Sequence, residues 1–219
     1  MSSPNVAGSL LLLQQHYNNA YGSYMRSSTL KGLVIHTANE AGSNPGPDYA
    51  FGWGLLDAAA AADVISTTGS NVIFEPTLSD GNTWSYTFTA NGTQDFSATL
   101  GWIDPAAATT GSVLNPTAAR LINDLDIRLS DGSTTYTPWV LDPANPSNAA
   151  TNGDNFRDNV EKLEPGILPA GNYTLTVSHK GSLTNGTQPF SLIISGVPSI
   201  PIADFSASTT AICPNETVT

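Results

Sequence analysis

The sequence predicts an α+β chain: a helical segment over residues 1–66, then an antiparallel β-sandwich or jelly roll of about eight strands. Two periodicities and one pattern of punctuation carry that prediction. Up to residue 66 apolar residues recur at helical spacing. From about residue 70 they alternate with Thr and Ser, the period of a half-buried strand. Gly-, Asn- and Asp-rich turn signals separate the alternating segments at short intervals, as in a sandwich rather than in βαβ units.

The elements follow in order. Ser3 before Pro4 reads as a helix start, a capping hydroxyl followed by proline at the first helical position. Val6 to Leu13 is apolar on nearly every side, which predicts a helix buried all round. Ser27 and Ser28 are positioned to cap a second helix carrying Leu30, Leu33, Val34 and Ile35. Ala41 to Asp48 is Gly/Pro/Asn punctuation and reads as loop. Leu55 to Ile65 is Ala-rich and predicts a third helix. The strand pattern then runs through Trp84/Tyr86/Phe88, Phe96/Ala98/Leu100/Trp102, Leu125/Ile127/Leu129, Tyr173/Leu175/Val177 and Phe190/Leu192/Ile194. Asp80-Gly81, Asn91-Gly92, Asp131-Gly132 and Asn185-Gly186 are among the turns between them. This places a β domain at 67–197. Residues 198–219 read as a stiff Pro-rich linker and the truncated start of a further module.

Composition narrows the function. Seven basic against 18 acidic residues give a net charge of −11, so phosphate-driven binding of nucleic acid is excluded. No run approaches the roughly 18–20 apolar residues of a membrane span. The single cysteine rules out an internal disulfide framework and a Cys-based zinc site. Few charges and abundant Thr, Ser and Asn suit a secreted or cell-surface bacterial protein. Met1-Ser2-Ser3-Pro4 lacks the positive region and cleavage site of a signal peptide, which leaves open a cytoplasmic origin or a chain that begins in the middle of a longer protein.

Met1-Ser2-Ser3-Pro4-Asn5-Val6-Ala7-Gly8 resembles the segment just after the nucleophile of subtilisin-like serine proteases. Leu33 to Ala38 resembles the next helix of that family, and Pro47 to Ala58 the loop and final helix closing its catalytic domain. Three motifs in order make the likeness specific. It implies that residues 1–66 are the C-terminal remnant of a subtilisin-like α/β domain. Leu121 to Ile127 and Asp158 to Glu161 resemble the β-barrel domain that follows the catalytic domain in some secreted alkaline subtilisins. Ile202 to Ala207 resembles the start of a polycystic-kidney-disease-type, immunoglobulin-like module.

The resemblance implies a chemistry and its absence from this chain. The family sets its serine at a helix N-terminus, where free N–H groups and the dipole meet the developing oxyanion. Met1 matches the residue after that serine. With the family's Asp, His, Ser chain order, every triad member would precede Met1, and no catalytic residue is expected in the chain as it stands. Ser2 and Ser3 are better explained by small-residue packing and capping than as nucleophiles. His16 and His36 read as structural histidines in packed helices, His179 as an exposed strand end, and Asp48 as part of a turn.

A calcium site is the remaining candidate. Asp124 and Asp126 put carboxylates on one strand face, Asn123 begins that segment, and Asp154, Asn155, Asp158 and Asn159 form a second oxygen-rich loop. Oxygen donors from two loops suit Ca²⁺, and the resemblance implies the same; the alternative is a solvated polar face with an Asx-rich turn. Two functions therefore stand open. One is a fragment of a secreted subtilisin-like endopeptidase acting on polypeptide substrates, inactive alone. The other is a non-catalytic β-sandwich module for binding or adhesion.

Overall fold

A computed structural model describes residues 2–67 and 69–198. It contains three helices, α1 (Ser2–Tyr21), α2 (Ser27–His36) and α3 (Ala58–Ser66). Eleven strands follow: β1 (Asn71–Phe74), β2 (Thr77–Ser79), β3 (Trp84–Ala90), β4 (Asp95–Trp102), β5 (Asp124–Ser130), β6 (Thr135–Tyr136), β7 (Trp139–Val140), β8 (Thr151–Asn152), β9 (Val160–Ile167), β10 (Gly171–Lys180) and β11 (Thr187–Ser195). The α+β class is as the sequence predicts. The strands beyond the expected eight are pieces of two or three residues, too short to show a period. Residues 202–207 of the module-like tail lie outside the described residues, as does Met1.

The strands form two antiparallel sheets packed as a sandwich. The first has the order β1-β11-β4-β9, with β2 also paired to β11; the second has the order β3-β10-β5-β6. β7 and β8 form a separate hairpin. From β3 on, the long strands alternate between the sheets, so successive connections cross the sandwich. Every apolar series read from the sequence lies in the core between them: Phe96 to Trp102, Leu125 to Leu129, Tyr173 to Val177 and Phe190 to Ile194 are buried, with Trp84, Tyr86 and Phe88 packed against them. Phe88 stacks on Phe96 at 5.1 Å, and Trp84 meets Phe190 edge-on at 5.9 Å. The buried Trp102 indole donates to the Asn123 carbonyl at 3.0 Å.

Alternation describes only one face of the first sheet. Thr99 and Gly101 of β4 and Ser191, Ile193 and Ser195 of β11 face the other way, and α2 covers them. Gly32 of α2 makes that approach possible: a β-carbon there would stand 2.8 Å from Ile193 Cδ1. Gly101 answers from the sheet, with Ser28 O lying 3.3 Å from where its β-carbon would be. Hydroxyls fill the seam. Ser191 Oγ bonds to Ser28 Oγ at 2.7 Å and to Thr29 Oγ1 at 2.8 Å. Leu33 and Ile193 are fully buried in a second cluster with Leu13, Met25, Ala61, Val64 and Ile65. Burial of each such aliphatic side chain contributes about 1.5–3 kcal/mol.

The helix ends depart from expectation in instructive ways. α1 already includes Ser2 and Ser3, so Ser3 sits inside the first turn and not before it; Pro4 is tolerated there because its missing N–H has no intrahelical partner. Gly22, at φ 73°, ends α1 in the left-handed region, donating to the Asn18 carbonyl at 2.8 Å. The N-cap of α2 is Arg26, whose side chain makes no capping bond. A distant carboxylate does that work: Glu75 Oε1 accepts from Arg26 N at 3.0 Å and also from the Thr29 hydroxyl. α3 starts three residues later than predicted because Asp57 caps it, accepting from Ala60 N at 2.9 Å.

α1 is not buried all round. Leu13 is 3% exposed and packs with Met25 and α3, but Leu11 and Leu12 are each 71% exposed. Among the described residues α1 has partners on one face only, through α3 and α2. No helix among the described residues is long and apolar enough to cross a membrane.

Candidate functional site

Ser2, Ser3, Pro4, Asn5, Val6, Ala7 and Gly8 form the exposed first two turns of α1. Among the described residues a β-carbon on Gly8 would meet nothing within 4 Å, so this end of the helix stands clear of them. The body of α1 is fixed from the other end. Gln14 brackets the α1–α2 connection, donating to Met25 O at 3.1 Å and accepting from Met25 N at 2.9 Å. His16 Nε2 bonds Ser66 Oγ at 2.7 Å, and Tyr21 donates to Ile65 O at 2.8 Å.

The three imidazoles are held separately. His36 is buried between α2 and the first sheet, its Nδ1 2.9 Å from Thr99 Oγ1 and its Nε2 2.8 Å from Ser195 Oγ. Burial, with Lys162 nearby, lowers its pKa to about 3, so the ring is neutral across the physiological range. His179 is not the exposed strand end that was expected: its side chain is 6% exposed, and Nε2 accepts from Gly81 N at 2.8 Å. Asp48 forms the turn, accepting from Ala50 N at 2.8 Å and Phe51 N at 2.6 Å. Among the described residues none of the three rings links a serine to a carboxylate, so nothing here rebuilds a triad.

The seven proposed calcium ligands divide among four places. Asn123 turns inward, donating to Gln188 Oε1 and accepting from Thr184 N, both at 2.8 Å. Asn155 builds an Asx turn with Arg157 N and Asp158 N and donates to Asp158 Oδ2. Asn159 ties the loop to α2 and β4, accepting from Lys31 Nζ at 2.7 Å and donating to Trp102 O at 2.9 Å. Only Asp124, Asp126 and Asp154 converge, the first two sharing a face of β5 as the alternation requires.

They converge on two cations that the sequence reading overlooked. Lys180 Nζ lies 2.7 Å from Asp154 Oδ1, 3.2 Å from Asp126 Oδ1 and 3.3 Å from Asp124 Oδ2. Arg128 Nη2 lies 2.6 Å from Asp154 Oδ1 and 2.9 Å from Asp126 Oδ1. The signal was available. Arg128 continues the Asp124/Asp126 alternation, and Lys180 ends the strand paired with β5, directly opposite Asp124. Glu161 joins from the other sheet. It is fully buried, and its Oε2 accepts from Ile127 N at 2.7 Å, serving a part of β5 that lacks a second neighbouring strand. Among the described residues its Oε1 and Asp124 Oδ1 have no hydrogen-bond partner.

Burial raises the pKa of Glu161 well above the ordinary carboxylate value and raises Asp124 and Asp126 against the pull of Lys180 and Arg128. Hydrogen bonding from Lys180 lowers Asp154. Burial alone would lower Lys180, but its bonds to Asp154 and Asp126 outweigh that and raise it. A calcium ion here would need its ligands at about 2.3–2.6 Å, and the point on which these carboxylates converge holds an ammonium flanked by a guanidinium. Among the described residues no group of three or more His, Cys, Asp or Glu is placed to hold a metal ion.

Residues 1–54 match the model of the subtilase family, peptidase S8. No curated protein matches the chain. Among solved structures, the chain is similar to PliG of Aeromonas hydrophila, a periplasmic inhibitor of g-type lysozyme. The identity is 13% over 58% of this chain and 87% of that one, with a TM-score of 0.28. A likeness of that size ties neither the inhibitor's fold nor its role to this chain.

Proposed function

We propose that residues 1–66 close the catalytic domain of a secreted subtilisin-like serine endopeptidase, and that this chain is its C-terminal part. The subtilase match over residues 1–54 carries the reading. The bare face of α1 supports it: a helix with Leu11 and Leu12 in solvent is one whose partner is supplied by other residues. In the whole protein, a serine directly before Met1 would attack the peptide carbonyl. Histidine would take its proton, aspartate would hold the histidine, and the N-terminus of α1 would stand behind the oxyanion. The β-sandwich would brace that helix through α2, the substrate being a polypeptide. Residues 198–219 would open a further immunoglobulin-like module.

A fluorophosphonate probe tests this. The chain alone is expected to remain unlabelled. The gene is expected to encode Gly-Thr-Ser immediately before Met1, and the extended protein to label on that serine and lose labelling when it becomes alanine. Labelling of this chain at Ser2 or Ser3 would overturn the account. Unrelated codons upstream would leave the β-sandwich as a binding or adhesion module without a protease.

A further inference from the structure

The geometry points to Asn91 as a site of spontaneous covalent modification: the Gly92 amide nitrogen closes on the Asn91 carboxamide, ammonia leaves, and water opens the resulting succinimide to aspartate or isoaspartate. The site lies between β3 and β4 of the sandwich, so this inference is independent of the protease reading.

The chain has three Asn-Gly steps, at 91–92, 152–153 and 185–186. A glycine after asparagine leaves the attacking nitrogen unshielded by a β-carbon and free to turn toward the side chain. All three asparagines are exposed. Two of the steps share one tetrapeptide: Asn91-Gly92-Thr93-Gln94 recurs as Asn185-Gly186-Thr187-Gln188. Local sequence gives these two the same intrinsic reactivity, and the fold is what separates them. Gly186 N donates to Leu183 O at 2.9 Å, and Gly153 N donates to Pro138 O at 2.9 Å. Asn152 is held at its amide as well, Nδ2 donating to Thr137 O at 3.3 Å. Among the described residues Gly92 N makes no hydrogen bond, so its nitrogen alone is available without breaking one.

The Asn91 carboxamide is polarised in the sense the reaction needs. Thr93 N donates to Oδ1 at 3.0 Å, and Thr93 Oγ1 donates to the same oxygen at 2.8 Å. Attack on Cγ puts negative charge on Oδ1, so both donors already stand where that charge develops. The new bond joins Gly92 N to Asn91 Cγ, and the proton of that N–H passes to water. The Cγ–Nδ2 bond then breaks, and Nδ2 departs as ammonia with a proton from solvent. Water adds to one carbonyl of the ring to give aspartate, or to the other to give isoaspartate; nothing is oxidised or reduced. Either product adds a negative charge to a chain of net charge −11. Isoaspartate also lengthens the backbone where the chain passes from the second sheet to the first.

The test is incubation of the full chain in mildly alkaline buffer, with and without concentrated urea, followed by acid-quenched digestion and peptide mapping by mass spectrometry. In the folded chain Asn91 is expected to convert about fivefold faster than Asn185, or more, the factor that one net hydrogen bond is worth. Asn152 should be slow as well. In urea the rates at Asn91 and Asn185 should converge, because the two tetrapeptides are identical. Thr93→Val removes the Oγ1 donor and should slow Asn91 severalfold in the folded chain while leaving Asn185 unchanged. No conversion at Asn91, or equal rates at Asn91 and Asn185 in the folded chain, would overturn the proposal. So would faster conversion at Asn152 or Asn185, or an Asn91 preference that survives in urea. An Asn91 rate that Thr93→Val leaves unchanged or raises would remove the polarising role of Thr93 and with it the proposed site. Should Thr93→Val not fold, the wild-type comparison with and without urea still decides.

Discussion

Acid should loosen the seam between α2 and the sandwich, and His36 sets the size of the effect. The ring is enclosed by Thr99 and Ser195, with Lys162 as the nearby charge, and its pKa is lowered from 6.5 to about 3. An unfolded chain protonates this ring below pH 6.5; the folded chain does not until about pH 3. The stability it contributes is therefore complete above pH 6.5 and lost as pH falls, by about 1.36 kcal/mol per unit. At pH 4.5 the loss is about 3 kcal/mol, and it reaches a ceiling of about 5 kcal/mol near pH 3. Glu161 works in the opposite direction: its raised pKa gives stability at low pH that is lost as pH rises through the folded value. A total pH profile therefore mixes the two, and a variant is needed to isolate the histidine. His36→Gln keeps one acceptor and one donor for Thr99 and Ser195 but does not titrate. Urea unfolding of both proteins between pH 7.5 and 4.5 should show wild type losing about 2–3 kcal/mol relative to the variant. Parallel pH profiles would refute the placement of a neutral ring in this seam.

Two further outcomes follow from packing. Gly32→Ala places a β-carbon 2.8 Å from Ile193 Cδ1 and should cost about 1–3 kcal/mol by overpacking. Gly8→Ala, with nothing within 4 Å, should instead stabilise α1 by roughly 0.5–1 kcal/mol, so urea melts of the two variants should move in opposite directions. Replacing exposed Leu11 and Leu12 together by Glu and Lys should leave the Tm of this chain unchanged while reducing light scattering at high concentration; an equal drop in Tm would mean that this face is packed after all.

The sandwich was legible because one face of each strand carries a simple rule. Large apolar residues at every second position, from Trp84 to Ile194, all point into one core. The helical layer was less legible because its contacts are not written in hydrophobicity. Ser28, Thr29, Gly32 and His36 look polar or featureless in sequence, yet they form the face of α2 that meets the sheet. Ile193 was the available sign. It breaks the alternation of Phe190, Leu192 and Ile194, and an apolar residue on the supposed solvent face needs something to cover it. The caps failed for the same reason. A local rule chose Ser27 and Ser28, whereas the carboxylate that serves α2 comes from Glu75, far away along the chain.

At the acidic cluster, counting ligands and counting charges lead to different readings. Seven oxygen-bearing residues in two loops satisfy a donor list for calcium, but a donor list is blind to the cations the chain itself brings. β5 reads Asp124, Asp126, Arg128 along one face, and β10 ends His179-Lys180 beside it. Once strands β5 and β10 are paired antiparallel, the register leaves Lys180 facing Asp124 with no further freedom than its own rotamers. An ammonium on a strand is held at high local concentration by the fold, whereas a calcium ion must be captured from solution and desolvated. Between two cations competing for the same carboxylates, the tethered one holds the place unless its removal exposes enough oxygen to repay dehydration of the metal.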